Sequence, residues 1–166
     1  MYLFASEVPA LFGLDKFHTR QEILDRVKSR KVSKLRAEED IPFEIVEEDD
    51  DRPKTEEKKL QLTRELIPNV QVRGRVTVIE SSSKTTILLR RRRTKNMSRR
   101  LWPNDACLAQ VYLWLFNPSS STECEVRFEE TMAGEDPFTS IIRPSQTFAT
   151  LQIPSLQKSL SDSLPL

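Results

Sequence analysis

The residues best able to do chemistry lie in two oppositely charged runs. Residues 84–100 hold Lys84, Arg90, Arg91, Arg92, Arg93, Lys95, Arg99 and Arg100 and no acid. Arginine forks match phosphate and carboxylate oxygens in pairs, so this run, with Arg73 and Arg75 before it, is a candidate surface for DNA or RNA phosphates or for a protein partner. A solvated face is the plainer alternative. Side chains of a strand alternate, which puts Arg90 and Arg92 on one face and Arg91 and Arg93 on the other, so the four cannot line one groove while the strand stays regular. The second run, residues 38–51, carries nine acids and no base, with Pro42 and Pro53 beside it. It reads as an acidic loop over 38–53, solvated by default, otherwise docking a basic partner.

Other chemistries are poorly supplied. The three glycines, Gly13, Gly74 and Gly134, are too scattered for a phosphate-cradling loop. One histidine, His18, rules out zinc sites built on several histidines. It lies in a loop before a helix and is expected at the surface. Cys107 and Cys124 make no CxxC pair. Trp102, Tyr112, Trp114 and Phe116 could stack on bases, but their spacing around an apolar helix suits a core better. The net charge of +1 gives no long-range field. No run of 18 apolar residues exists, and MYLFASE, with an acid at position 7, does not read as a signal peptide, so no membrane partner is expected, and the expected setting is intracellular (nucleus, cytoplasm or mitochondrion) or a virion.

The elements that must position these residues follow from periodicity. Ser6 is a candidate N-cap for a short helix through Val8, Leu11 and Phe12, closed by Gly13 in a left-handed cap. Thr19 and Glu22 form a capping-box pattern before Ile23, Leu24 and Val27, predicting a helix from about 20 to the mid-30s. A third helix is expected from about Lys54 to Leu66, stopped by Pro68. In NVQVRGRVTVI, Val70, Val72, Val76 and Val78 share one face and Gln71, Arg73, Arg75 and Thr77 the other, the clearest strand signal in the chain. Ser81–Lys84 reads as a turn into a second strand at about 85–92, making an antiparallel hairpin. Asp105–Phe116 reads as an apolar helix and TECEVRFEE as a strand. Residues 144–166, interrupted by Pro154 and Pro165, read as an extended or weakly helical C-terminal tail suited to wrapping a partner. The layout is α+β, a small mixed sheet with an antiparallel hairpin flanked by helices.

The ordered set ASEVPALFGLDKFHTRQEIL (5–24), GRV (74–76), ILLRRRR (87–93), SRRLW (98–102), CLAQVYLWLF (107–116) and TECEV (122–126) resembles the YqaJ-type recombinase exonucleases of the PD-(D/E)xK nuclease superfamily, found in phages, large DNA viruses and some cellular genomes. The resemblance covers roughly 5–130, and no single motif in it is decisive. It implies a restriction-endonuclease-like core in a degenerate nuclease-like domain over residues 1–143. It also implies a Mg²⁺ site made by an acid after the G-R-V strand and an E-x-K on the next strand.

The residues at those positions depart from the pattern. Thr77 stands where the first acid would be, Arg90 at the second acid, Arg92 at the lysine and Leu108 at a helix glutamine. Gln110 and Tyr112 match the family helix, where they support the site. A hydroxyl is a poor Mg²⁺ ligand, and a guanidinium has only donors and stays charged. At ~4 Å its repulsion of a divalent ion is several kcal/mol at an effective dielectric of about 20. No metal site or cofactor is therefore expected. The expectation is a pseudo-nuclease, a binding or structural component of a larger nucleoprotein or virion assembly. One alternative is a Mg²⁺-dependent DNA exonuclease with relocated acids, Glu65 on the preceding helix and Glu80. Another is an α+β interaction module unrelated to nucleases.

Overall fold

A computed structural model describes residues 1–30, 57–81, 84–92, 101–116, 123–131, 134, 136 and 138–164. Its centre is a six-stranded mixed sheet: β1 (Tyr2–Phe4), β2 (Glu57–Ile67), β3 (Val70–Glu80), β4 (Lys84–Arg92), β5 (Glu123–Thr131) and β6 (Phe138–Ile142). Among the described residues four α-helices accompany it: α1 (Val8–Leu11), α2 (Arg20–Arg30), α3 (Pro103–Phe116) and α4 (Ile153–Ser163). β2 runs antiparallel along one edge of β3 for its whole length. The other edge of β3 is shared: β1 lies parallel against Gln71–Arg73, and β4 lies antiparallel against Thr77–Glu80. β5 then lies parallel to β4, and β6 antiparallel to β5.

The expected hairpin is present. Thr77 faces Leu88 and Glu80 faces Thr85 across it, and the turn closes with the Ser81 N–H donating to the Lys84 carbonyl at 2.9 Å. The register sorts the sheet into two faces. One carries Val70, Val72, Val76, Val78, Ile87, Leu89, Val126 and Phe128, all buried. Helix α3 packs across this face, touching β2 through β6, which is why its Cys107, Leu108, Val111, Tyr112 and Leu115 are buried. The other face carries Arg73, Arg75, Thr77, Arg90, Arg127 and Glu129.

Gly74 permits the close approach of α3. A Cβ there would lie 2.7 Å from Tyr112 Cε1 and 3.2 Å from the Ala5 Cβ. Gly13 takes the expected left-handed conformation, with φ +73°. Ser6 is not the cap of the first helix: Ala5–Glu7 is a 3-10 turn, and the Phe4 N–H donates instead to Glu7 Oε1 at 2.9 Å. Thr19 does cap α2, its Oγ1 accepting from the Glu22 N–H at 3.2 Å. That helix is described to Arg30, and the expected extension to the mid-30s lies outside the described residues, as does the acidic run 38–51.

A further expectation is corrected. Residues 57–67 are not a helix but strand β2. Its helix-forming residues are overridden by pairing with β3, and Leu60, Leu62 and Leu66 recur at the strand period of two, on the face toward α3. Pro68 and Asn69 then form a two-residue turn between the paired Ile67 and Val70, with Asn69 at φ 70°. Proline followed by a residue of positive φ suits a type II turn, so Pro68 ends a strand here.

The C-terminal segment, expected as extended or weakly helical, takes the helical form. A π turn over Phe148–Gln152 leads into α4, and the Ile153 N–H reaches back five residues to the Phe148 carbonyl. Pro154 falls in the first turn of α4, where a missing N–H costs little. Phe148, Ile153, Leu156, Leu160 and Leu164 are buried. Gln157 Nε2 donates to the Leu66 carbonyl at 2.7 Å, and Arg20 Nη2 donates to Ser159 Oγ at 2.6 Å and Ser163 Oγ at 3.0 Å. The segment covers its own core, so its composition no longer argues for wrapping a partner.

Gly74→Ala is expected to cost about 1–3 kcal/mol, because the buried Tyr112 ring has no room to withdraw. Chemical denaturation of the single variants and of Gly74→Ala with Tyr112→Leu checks this. The double variant should lose less than the sum of the singles, since the shorter side chain removes the clash.

Candidate functional site

Thr77, Arg90 and their neighbours come together on the polar face of the sheet. Leu88 lies opposite Thr77, and Arg90, two residues on, shares its face. Arg90 lies opposite Glu129 of β5 and Glu57 lies opposite Ile79 of β3. The Arg90 guanidinium is held from both sides: Nη2 donates to Glu57 Oε1 at 2.6 Å, and Nε lies 3.5 Å from Glu129 Oε2. The side chains of Arg90, Glu129 and Glu57 are 6%, 7% and 17% exposed. Glu57 sits at the level of residue 79 and Arg90 lies beyond Leu88 toward the level of residue 75, so their contact crosses β3 at the row of Thr77. The Thr77 hydroxyl is buried and has no hydrogen-bond partner among the described residues.

This centre does not fit the metal that the resemblance implies. The donor at Thr77 is a lone hydroxyl, and the position of the second acid carries a fixed cation that already holds the two nearest carboxylates. No group of three or more His, Cys, Asp or Glu side chains able to hold a metal ion occurs among the described residues. Glu65 is on β2, not on a helix. It is exposed and pairs with Gln71, six residues from Thr77 along β3, or ~20 Å at strand rise. Glu80 is on the opposite face and pairs with Lys58 Nζ at 2.9 Å, an exposed contact of little energetic weight. The two fallback acids are not brought together.

The arginine run is split between the two faces as alternation requires. Arg91 points to the apolar side, where Nη2 reaches Asp105 Oδ1 at 2.6 Å and the guanidinium lies 5.3 Å from the Phe128 ring centre. Arg90 and Arg91 are thus engaged within the fold rather than presented as a continuous cationic strip, because both faces of β4 are covered at this point. Arg73 donates to Gln71 Oε1 from Nε at 3.3 Å and from Nη2 at 3.0 Å, and stacks on Tyr2 at 4.6 Å. Arg75 is half-buried on the same face. The Arg92 side chain and residues Arg93, Lys95, Arg99 and Arg100 lie outside the described residues.

The other candidates have structural partners. Gln110 Nε2 donates to the Arg143 carbonyl at 2.8 Å and its Oε1 accepts from the Ser145 N–H at 2.9 Å, fastening the approach to the C-terminal helix. Tyr112 packs on Gly74. Leu108, where the resemblance puts a glutamine, is core. Trp102 takes Lys16 over its ring at 4.1 Å, and Trp114 takes Arg64 at 4.4 Å. His18 Nδ1 lies 3.5 Å from Glu22 Oε2 at the surface. Burial pushes the Cys107 thiol up to about 12 and, with help from the Glu125 charge, the Cys124 thiol to about 11, so neither supplies a thiolate nucleophile.

Sequence reasoning missed Glu57, Glu129 and Asp105, the acids that neutralise the buried Arg90 and the partly exposed Arg91. Only the alternation of TECEVRFEE, which sets Glu125 and Glu129 on the face opposite Val126 and Phe128, pointed toward any of them. Glu125 has its own partner, Lys84 Nζ at 2.6 Å. Asp105 is nearly fully buried, and burial raises its carboxyl above the usual range while the Arg91 charge and hydrogen bond oppose that rise.

No family model matches the chain, and no curated protein matches it. Among solved structures, one described as the crystal structure of SSO0001 is similar at a TM-score of 0.42 and 15% identity, over 66% of this chain and 52% of that one. The chain thus spans about half the length of that neighbour, and a likeness of this size carries no functional argument.

Arg91→Met is expected to cost roughly 2 kcal/mol at neutral pH, less than a fully buried pair because Arg91 is partly exposed. Without Arg91, burial is opposed only by the backbone hydrogen bond from Trp102, so the folded pKa of Asp105 rises further above the unfolded value. The protonated form is then favoured in the folded state, and stability falls as pH rises through the interval between the two values. Thermal melts should show a larger deficit at pH 7 than at pH 4, and Asp105→Asn in the same background should remove that slope.

Proposed function

We propose that the chain is a nuclease-fold protein without catalysis, serving as a binding or structural component of a larger protein or nucleoprotein assembly. What supports the ancestry is the order of elements. The β3–β4 hairpin is packed by α3, and β5 follows, in the sequence order in which the recombinase exonucleases carry their metal-binding strands, helix and next strand. On this reading residues 1–143 are the degenerate nuclease-like domain with a restriction-endonuclease-like core.

The observation that carries the loss of catalysis is the buried Arg90 between Glu57 and Glu129, on the face and beside the row of Thr77. A nuclease of this class places a divalent ion there, to activate water and to offset charge on the phosphate. A guanidinium at ~4 Å from such an ion repels it by about 8 kcal/mol at an effective dielectric of about 20. It also occupies the carboxylates that would otherwise hold it. On this reading the guanidinium closes the centre to metal.

Binding is then left to groups away from this centre, and phosphate and acidic protein surfaces remain the two partner chemistries for the basic segment over 93–100. Purified protein incubated with linear duplex DNA and Mg²⁺ or Mn²⁺ should leave the DNA intact at enzyme excess. Sustained degradation that stops on chelation would defeat the proposal.

A further inference from the structure

We infer that Glu57, Glu129 and the Thr77 hydroxyl form a cation site that the chain fills with its own Arg90, and that removing the guanidinium turns it into a divalent-metal site. Two carboxylates from strands on opposite sides of β3 and β4 converge on one positive group. They come from β2 and β5, far apart in sequence, so the meeting is a product of the sheet and not of local helix or loop geometry. The second observation is Thr77. Its side chain is almost fully buried, and Oγ1 has no hydrogen-bond partner among the described residues, although the Glu57–Arg90 contact crosses its row. A buried hydroxyl oxygen left over beside a cation-filled pair of carboxylates is a neutral oxygen donor with nothing to donate to or accept from.

Emptied of the guanidinium, the cluster offers two anionic oxygen groups and one neutral oxygen, a set suited to a hard divalent ion that keeps several waters. The positions differ from those the nuclease resemblance assigns: neither Glu57 nor Glu129 corresponds to the first acid or to the E-x-K motif. The inference stands on this geometry alone, whatever the ancestry of the chain. In the native protein the cation is covalently part of the chain, so its presence does not depend on ion concentration, and the fold is insensitive to chelators.

The test uses the full chain and Mn²⁺ as probe, read by thermal melting and by the loss of free Mn²⁺ signal in electron paramagnetic resonance. Wild type should bind no Mn²⁺ at the site and melt identically with and without EDTA. Arg90→Ala should melt about 10 °C lower, as expected for a buried pair broken from one side, and millimolar Mn²⁺ should raise its Tm by about 5 °C or more with one ion bound. Adding Glu57→Gln and Glu129→Gln should abolish the Mn²⁺ response. Arg90→Gln is the second variant, neutral but closer in shape. If either variant is unfolded without metal, refolding on Mn²⁺ addition counts for the inference. Failure of both variants to bind Mn²⁺, or binding that persists after both glutamates are neutralised, overturns it. The outcome is independent of the DNA assay, which reads the wild-type protein.

Discussion

A guanidinium taken out of water must be neutralised where it lies, and Arg90 is neutralised by carboxylates from β2 and β5, on either side of the strands between them. The interaction spans most of the width of the sheet. It constrains β2 to run far enough along β3 for Glu57 to arrive, and β5 to lie parallel to β4 in the register that sets Glu129 opposite Arg90. Breaking such a cluster from one side leaves charge without a counterion in a low-dielectric setting, which costs more than the intact cluster contributes. The polar face therefore tolerates few substitutions at this centre, while the arrangement as a whole is self-contained.

The two faces of the sheet solve different problems. The apolar face is covered by α3 and closed by contacts that need small residues, Gly74 and Ala5, against Tyr112. The polar face buries Thr77, Thr86, Arg90, Glu125 and Glu129, so it is covered as well, but by groups that must be matched pair by pair. Lys84 with Glu125 and Arg90 with Glu129 are such pairs on the same two strands, the first diagonal and the second directly opposite in register. Arg91 with Asp105 repeats the solution on the apolar side, tying the first turn of α3 to the end of β4.

Much of this was legible where the signal is local. Strand β3 alternates valine with polar residues, and α3 carries an apolar run after Pro103, so both were placed to within a few residues. β2 was not, because Glu57, Lys58, Lys59, Gln61 and Arg64 are good helix formers and its period-two leucines are only three. Its identity comes from β3, which offers an unpaired edge of matching length. α4 was hidden by Pro154, which is harmless in a first turn preceded by a π turn. In the candidate site, Thr77 and Arg90 could be singled out from the sequence, by their places in the strands that the resemblance picks out. Their partners Glu57 and Glu129 could not, since nothing in a single strand announces which acid the neighbouring strand, or the one beyond it, will bring to it.

The same pairs supply something that the sequence of β4 lacks. The run Ile87-Leu88-Leu89-Arg90-Arg91-Arg92 has no alternation, so its own pattern does not say which residue faces which side. The acids do. If β4 slipped so that Leu89 took the place of Arg90, Glu57 and Glu129 would be buried against an aliphatic side chain with no counterion. If it slipped the other way, Ile87 and Thr85 would replace Thr86 and Lys84 beside Glu125, whose carboxylate now receives the Thr86 hydroxyl at 3.5 Å and the Lys84 ammonium at 2.6 Å. Either slip strands at least one buried carboxylate, at a cost of several kcal/mol. Specificity of register thus comes from charge on the polar face, where Arg90 with Glu57 and Glu129, and Lys84 with Glu125, enforce it.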